Sequence, residues 1–260
     1  MTDRYSVAKR VARAAGELAL AMRANAAEQG LKIEAKGLQD FVTEADQQVE
    51  QQIRQQLKDA FSNDGFYGEE SQADLPQGQG FWVVDPIDGT SNYMRNIDQW
   101  AVSIAYVEAG ETQLGVVFDP SHNVLYHCQR GAGAYCNEQR RQLDTQQAID
   151  PLLILGHSNR APRAVYLNAL DYLYGKGIEH RKLGSAALGL AQVVSGQCDG
   201  YFEADLNPWD CLAGLLLIEE AGGVIIAGNQ MAQGLKNGPV AAGAVAQREA
   251  LSHLTSLCKA

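Results

Sequence analysis

Asp85 and Asp88 close an apolar run, Phe81-Trp-Val-Val84, and Gly89, Thr90 and Ser91 follow at once. A buried strand that delivers two carboxylates to a glycine turn can hold a hard cation, which takes oxygen ligands. The N–H groups and hydroxyls just beyond the turn can face a phosphate. Asp-Pro and Asp-Gly are also ordinary turn formers. Their combination on one strand end is what points to metal and phosphate chemistry.

Three further groups could join that pair. Glu69-Glu70 follows a short apolar run, although adjacent glutamates are usually a solvated pair. Asp210, after Asn207-Pro-Trp209, opens a helix expected over Cys211 to Ala221. An aspartate there stabilises the helix on its own account, by about 1 kcal/mol. Asp46 in Thr43-x-x-Asp46 has the spacing of a capping box. A hard divalent ion needs several oxygens from different elements. Spacing alone leaves open whether the four groups converge.

The elements that must position them follow from hydrophobic periodicity. Residues 4–28 carry Val7, Val11, Ala14, Leu18 and Met22 at helical spacing, which predicts an amphipathic helix. Gly37 to Asp40 read as a loop. A second helix opens at Thr43–Asp46, with Val49, Ile53, Leu57 and Phe61 on one face. Phe66 to Ser71 is a short strand ending in carboxylates, and a strand follows over 81–85. Residues 101–108, 113–118, 124–128 and 132–136 form a meander with turns at Gly110-Glu111 and Ser121-His-Asn123. Beyond it strands and helices alternate: strand 152–156, helix 163–173, strand 178–183, helix 185–195, strand 199–204, helix 210–221, strand 223–227, strand 239–244 and helix 247–258. The expected class is therefore α/β. An α+β half over 1–145 and an α/β half with a partly parallel sheet over 146–260 form one structural unit, with the change near Leu143-Asp-Thr-Gln-Gln147.

Composition narrows the function. A chain of 260 residues, 46% apolar, has enough material for a large core shared by two halves. There is no apolar stretch long enough to span a bilayer and no leader-like N-terminus, so a cytoplasmic protein without a membrane partner is expected. Five cysteines (Cys128, Cys136, Cys198, Cys211, Cys258) form no close metal-binding pair and read as reduced, mostly buried thiols; Cys211, beside Asp210, reads as packing. A net charge of −10 argues against nucleic acid as a primary partner. An acidic enzyme of small phosphates needs a divalent cation to offset its own carboxylates. His122, His127, His157, His180 and His253 share no spacing and read as surface or core-lining groups, since an oxygen-only site has no use for imidazole. His180-Arg-Lys182 is a small basic cluster that could help attract a phosphate.

Asp40-Phe-Val-Thr-Glu-Ala-Asp46, Gly68-Glu-Glu-Ser71, Asp85-Pro-Ile-Asp-Gly-Thr-Ser-Asn-Tyr93, Trp209-Asp210-x-x-Ala213-Gly214 and Glu220-Ala-Gly-Gly223 together resemble the inositol monophosphatase family, in its order and spacing and over nearly the whole chain. The resemblance implies a Mg²⁺-dependent phosphomonoesterase with the layered α-β-α-β-α sugar-phosphatase fold, dimeric and sensitive to Li⁺. It implies a first metal site of Glu69, Asp85 and the Ile87 carbonyl, a second of Asp85, Asp88 and Asp210, and a weaker third facing Glu69. Two or three Mg²⁺ ions are thus expected. Gly89, Thr90 and Ser91 match the phosphate-binding turn. Thr90 and Asp46 resemble the pair that orients the attacking water, and Glu70 resembles an acid just behind the metals. Gly184, Ser185 and Ala186 open a helix whose N-terminus faces the substrate. Glu203, ending the strand Gly200-Tyr-Phe-Glu203, matches the carboxylate that reads substrate hydroxyls. Lys36 stands at the family's basic position near the metals.

The family pattern after Gly-Thr commonly reads Thr-Asn-Phe, where this chain has Ser91-Asn92-Tyr93. Relatives acting on nucleotide or histidinol phosphates carry a long charged residue there, so the resemblance favours inositol monophosphate or a similar polyol or sugar phosphate as substrate. The alternatives are fructose 1,6-bisphosphate, a nucleotide 3′-phosphate, or a regulatory binding role with the transcription machinery, which some bacterial relatives have.

Overall fold

A computed structural model of the chain describes residues 3–29, 33–37, 40–75, 80–144 and 149–259, and the side chains of 26–43 are outside that description. Lys36 and the change of architecture expected near residue 145 both fall there. The first layer is α1 (Arg4–Gln29) with α2 (Glu44–Ala60), joined through a hairpin of β1 (Ile33–Gly37) and β2 (Asp40–Thr43). Gly37 and Asp40, the ends of the expected loop, pair across this hairpin, and the two residues between them lie outside the described residues. Its strands are too short for periodicity to mark them. On α1 the buried stripe is Val7, Ala8, Val11, Ala12, Ala15 and Ala19, with Leu18 and Met22 only half-buried. The face is turned from the one that the larger residues suggested, because alanines let α1 lie close to α2 and the sheet. On α2, Ala45, Val49, Ile53 and Leu57 point inward, as their spacing requires.

The second layer is a seven-stranded sheet in the order β3 (Gly65–Gly68), β4 (Phe81–Asp88), β5 (Ala101–Glu108), β6 (Glu111–Asp119), β7 (Val124–Gln129), β8 (Gly133–Cys136) and β9 (Gln139–Arg141). All pairs are antiparallel except β3 with β4. A short helix, α3 (Thr90–Met94), follows β4.

The other sheet has the order β11 (Glu179–Arg181), β10 (Leu152–Leu155), β12 (Gly200–Leu206), β14 (Gly238–Gly243), β13 (Val224–Ala227). Its first three strands are parallel and the rest antiparallel. Between the two sheets lie α5 (Ala186–Ser195) and α6 (Pro208–Glu220), so apolar that almost every residue is buried. Outside lie α4 (Arg163–Lys176) and α8 (Arg248–Ser256); a one-turn α7 (Met231–Gly234) caps the middle layer. The result is the expected α-β-α-β-α stack. Two buried clusters flank the seven-stranded sheet and a third lies under α4 and α8. Cys128, Cys198 and Cys211 are buried free thiols, and Cys136 and Cys258 are half-buried. Among the described residues no helix is long and apolar enough to cross a membrane.

Candidate active site

The end of β4 is not a regular strand. Asp85 stands opposite Ser103 and Asp88 opposite Ala101, so three steps on β4 match two on β5. Strict alternation would send residues three apart to opposite faces of the sheet. The extra residue of the bulge restores the parity. The Ile87 N–H donates to Asp85 Oδ1 at 3.0 Å and locks that carboxylate against its own turn.

Asp210 reaches the same place from the middle layer. The helix begins at Pro208, two residues earlier than periodicity suggested, because proline suits its first position. Asp210 Oδ2 accepts the Asn207 N–H at 2.9 Å. The Ser103 hydroxyl, opposite Asp85, donates to the Trp209 carbonyl at 3.0 Å and docks this turn on β5. The helix-capping role and the site role thus fall on one residue. Carboxylate oxygens of Asp85, Asp88 and Asp210 lie within 4.8 Å of one another.

Asp88 is anchored by α5. Its Oδ2 accepts the Ser185 hydroxyl at 2.5 Å and the Ala187 N–H at 2.7 Å. Asp85 and Asp88 are only 2% and 9% exposed. Burial pushes the Asp85 carboxyl well above its usual range, and the charges of Glu69, Asp88, Asp210 and Asp46 push it further. Burial raises Asp88 too, against the Ser185 and Ala187 hydrogen bonds. Asp210 is raised by burial and then by Asp88. Of the groups whose convergence spacing left open, Asp85, Asp88 and Asp210 meet, and Glu69 and Asp46 stand close enough for their charges to act on Asp85. They form an all-oxygen set without imidazole or thiolate, which suits a hard divalent ion such as Mg²⁺. The Cys211 thiol turns away, 3.3 Å from the Asn207 carbonyl.

Asp46, 0% exposed, sits in the first turn of α2, and its Oδ1 accepts the Thr90 hydroxyl at 3.1 Å. Thr90 Oγ1 is also 3.2 Å from the Ile87 carbonyl. Before it Gly89 has φ of 98°, and a Cβ there would stand 3.0 Å from the Gln99 carbonyl oxygen. Only glycine takes that turn without strain. The next two residues, Thr90 and Ser91, open α3, where backbone N–H groups have no partner within the helix. Asn92 ties this turn to the other half, donating to the Gln99 and Leu183 carbonyls at 2.7 and 2.8 Å. The departure at Tyr93 has its own reason: the buried hydroxyl donates to the Ala19 carbonyl of α1 at 2.8 Å.

A cavity of about 650 Å³ opens over this cluster, lined by Glu69, Asp88 and Asp210. Gly184, Ser185, Ala186 and Glu203 line it too. Glu203 is 7% exposed, not a solvated strand end, and β12 continues three residues past it. The Tyr201 hydroxyl donates to its Oε2 at 2.6 Å. Burial raises the Glu203 carboxyl to about 7, against the Tyr201 hydrogen bond. At Gly156 a Cβ would stand 1.9 Å from that oxygen, so only the missing side chain admits the carboxylate. His157, Arg160 and Lys182 also face the cavity. Sequence reasoning missed Tyr201, Gly156, His157 and Arg160; the one available signal was Tyr201 two residues from Glu203, on the same strand face. Of the basic cluster, Lys182 lines the cavity, whereas Arg181 pairs with Glu179 and His180 packs edge-on to Tyr174. Glu70 is half-buried beside Glu69, and its N–H is taken by Glu50.

The model of the inositol monophosphatase family matches residues 1–259. The inositol-1-monophosphatase of Rhizobium meliloti (strain 1021) is 40% identical over 199 residues, 75% of each chain. The Nus factor SuhB of Xylella fastidiosa (strain Temecula1) is 40% identical over 200 residues, 75% of this chain and 72% of that one. The crystal structure of the extragenic suppressor protein SuhB from Bartonella henselae superposes with a TM-score of 0.88 at 31% identity, covering 96% of this chain and 97% of that chain.

Proposed function

From the premise that this chain belongs to the inositol monophosphatase family and is a phosphoric monoester hydrolase, we propose that it hydrolyses inositol monophosphate or a similar polyol or sugar phosphate with the help of Mg²⁺. The observation that carries this reading is the all-oxygen convergence of the buried Asp85 and Asp88 with the half-buried Asp210. Glu69, Asp85 and the Ile87 carbonyl would hold one ion, Asp85, Asp88 and Asp210 a second, and Glu69 would face a weaker third. When bound, such ions supply charge that stabilises the phosphoryl oxygens, the ionising water and the leaving oxygen.

The chain's own groups do the rest. The Thr90 hydroxyl donates a hydrogen bond to Asp46, which leaves its oxygen lone pairs to accept from a water and aim it. Asp46 holds that rotor and is the base within reach, with Glu70 beside the site. The N–H groups of Gly89, Thr90 and Ser91 meet phosphoryl charge at the start of α3. Ser185 and Ala187 keep Asp88 in place, and Gly184 and Ala186 shape the floor. Glu203, steadied by Tyr201, accepts hydrogen bonds from substrate hydroxyls. Residues 1–145 bring most of the carboxylates, and residues 146–260 bring Asp210 and the recognition groups, as halves of one unit.

The same reading carries a cytoplasmic homodimer and inhibition by Li⁺. The Nus-factor names of relatives support a second role with the transcription machinery, and a net charge of −10 makes a protein surface the better contact there than nucleic acid. Phosphate release from inositol monophosphate, fructose 1,6-bisphosphate, a nucleotide 3′-phosphate and an aryl phosphate, with Mg²⁺ and with chelator, tests the main reading. Release from the first, abolished by chelator, is expected. Metal-independent release, or none from any polyol or sugar phosphate, would overturn it.

A further inference from the structure

Glu50 is a buried carboxylate that no motif marks. It is 3% exposed, one helical turn beyond Asp46 on α2. A carboxylate is costly to bury unless hydrogen bonds replace its water. Its Oε2 accepts the Glu70 N–H at 2.9 Å. The Glu69 N–H donates to the Val84 carbonyl at 3.1 Å, next to Asp85. The backbone on both sides of the Glu69 side chain is thus pinned, once by β4 and once by Glu50. One turn further, Arg54 Nη1 donates to Ser71 Oγ at 3.2 Å and holds the end of the same segment. Residues 46, 50 and 54 share one helix face. A second feature makes room for Glu50: a Cβ at Gly68 would lie 2.2 Å from its Oε2 and 2.7 Å from the Phe66 ring, so β3 ends in a residue that leaves both the carboxylate and the ring room.

We propose that Glu50 is a positioning residue for the divalent-ion site, fixing the Glu69-Glu70 segment so that the Glu69 carboxylate meets Asp85 and Asp88 at the cavity. The proposal rests on Glu69 being a metal ligand. α2 then serves the site twice, through Asp46 to Thr90 and through Glu50 to the Glu70 N–H.

The test is Mn²⁺ binding to the full chain, followed by electron paramagnetic resonance of the free ion, alongside the Mg²⁺ concentration that gives half-maximal phosphate release. Glu50→Ala removes the acceptor and should weaken Mn²⁺ binding by about ten- to a hundredfold, with the half-activating Mg²⁺ rising in parallel. Glu50→Gln keeps an oxygen for the Glu70 N–H and should stay within about threefold of the parent. Gly68→Ala displaces the carboxylate without removing it and should reproduce the loss of Glu50→Ala. A merely structural role would lower Tm and leave Mn²⁺ affinity of the folded variants unchanged, and that result overturns the proposal. So would a glutamine variant as weak as the alanine variant. If the parent chain bound no Mn²⁺, the metal reading of Glu69 would fall first, and this proposal with it.

Discussion

The acidic end of the cavity and the end around Glu203, proposed to meet substrate hydroxyls, are built in different ways. At the acidic end, Asp85, Ile87, Asp88, Gly89 and Thr90 come from one unbroken stretch, and a single bulge turns them toward one point. At the other end, Glu203 depends on Tyr201 from its own strand, on the bare backbone of Gly156, and on neighbours such as His157, Arg160 and Lys182 from two further loops. A chemistry that needs clustered charge on one rigid element leaves a compact mark in the sequence. A recognition surface gathered from separate loops by tertiary packing does not.

If the acidic end works as one unit, breaking its centre should have the largest effect. Asp85→Asn is expected to abolish Mg²⁺-dependent phosphate release while the chain still folds. On the proposed two-ion reading Asp85 would be the ligand common to both ions, and its loss would leave their repulsion unshielded. Far-ultraviolet circular dichroism and a Mg²⁺ titration would show it, and parent-like turnover would dissolve the idea of a shared ligand. Asp46 should come next. As a helix-capping residue alone, its loss would cost up to about 2 kcal/mol of stability and little activity. As the partner of Thr90, its replacement by asparagine should cut turnover by roughly 10²–10⁴ with substrate affinity held. Thr90→Ala should lose about as much, and the double variant little more than either. An unstable but fully active Asp46→Asn would return the residue to helix capping.

The recognition end should respond more gently and more selectively. Glu203→Gln removes a carboxylate acceptor for substrate hydroxyls, and at a pH above about 7, where Glu203 is mostly ionised, the loss should be about 1.5–3 kcal/mol on a polyol phosphate. An aryl phosphate, which offers no such hydroxyls, should be turned over nearly as before. Equal losses on both substrates would erase the distinction between the two ends and make Glu203 part of the metal site. The same contrast explains what the sequence made legible. The meander, the alternation of strands and helices after it and the Asp85–Ser91 turn follow from apolar periodicity and adjacent residue types, whereas the layer order was implied by the family resemblance. The start of α6 was misplaced because an Asn-Pro-Trp-Asp run reads equally as a turn, and only packing of Trp209 against Ser103 and Tyr67 shows it as helix. Along α1, Val7 and Val11 are buried as their spacing predicts, whereas further on close approach selects Ala15 and Ala19 over Leu18 and Met22. Glu50 was invisible, since a glutamate on a polar helix says nothing until its backbone partner is known.

His127 lies at neither end, which makes it a control that should move stability and leave both halves of the chemistry alone. It is buried between α1 and β8, with Tyr5 hydrogen-bonded to Nδ1, the Asn137 carbonyl 2.8 Å from Nε2, and Tyr135 stacked on its face. These partners fit a neutral ring that donates from Nε2 and accepts at Nδ1. Burial lowers its pKa below the usual value, and Lys9 and Arg13 on α1 press the same way, against Glu138 and the Asn137 carbonyl. In the unfolded chain the ring takes up its proton near the ordinary value of about 6.5. As pH falls through that point the unfolded state binds a proton that the folded state refuses, so stability drops. The contribution is complete above the unfolded value and is lost progressively down to the folded one. His127→Gln keeps a donor and an acceptor but does not titrate. Its Tm should therefore fall less steeply than the parent's between about pH 7 and pH 5, with the ratio of polyol to aryl phosphate turnover unchanged. Parallel melting curves would show that the ring is already free to charge in the folded protein, and a changed substrate ratio would show that α1 reaches the cavity after all.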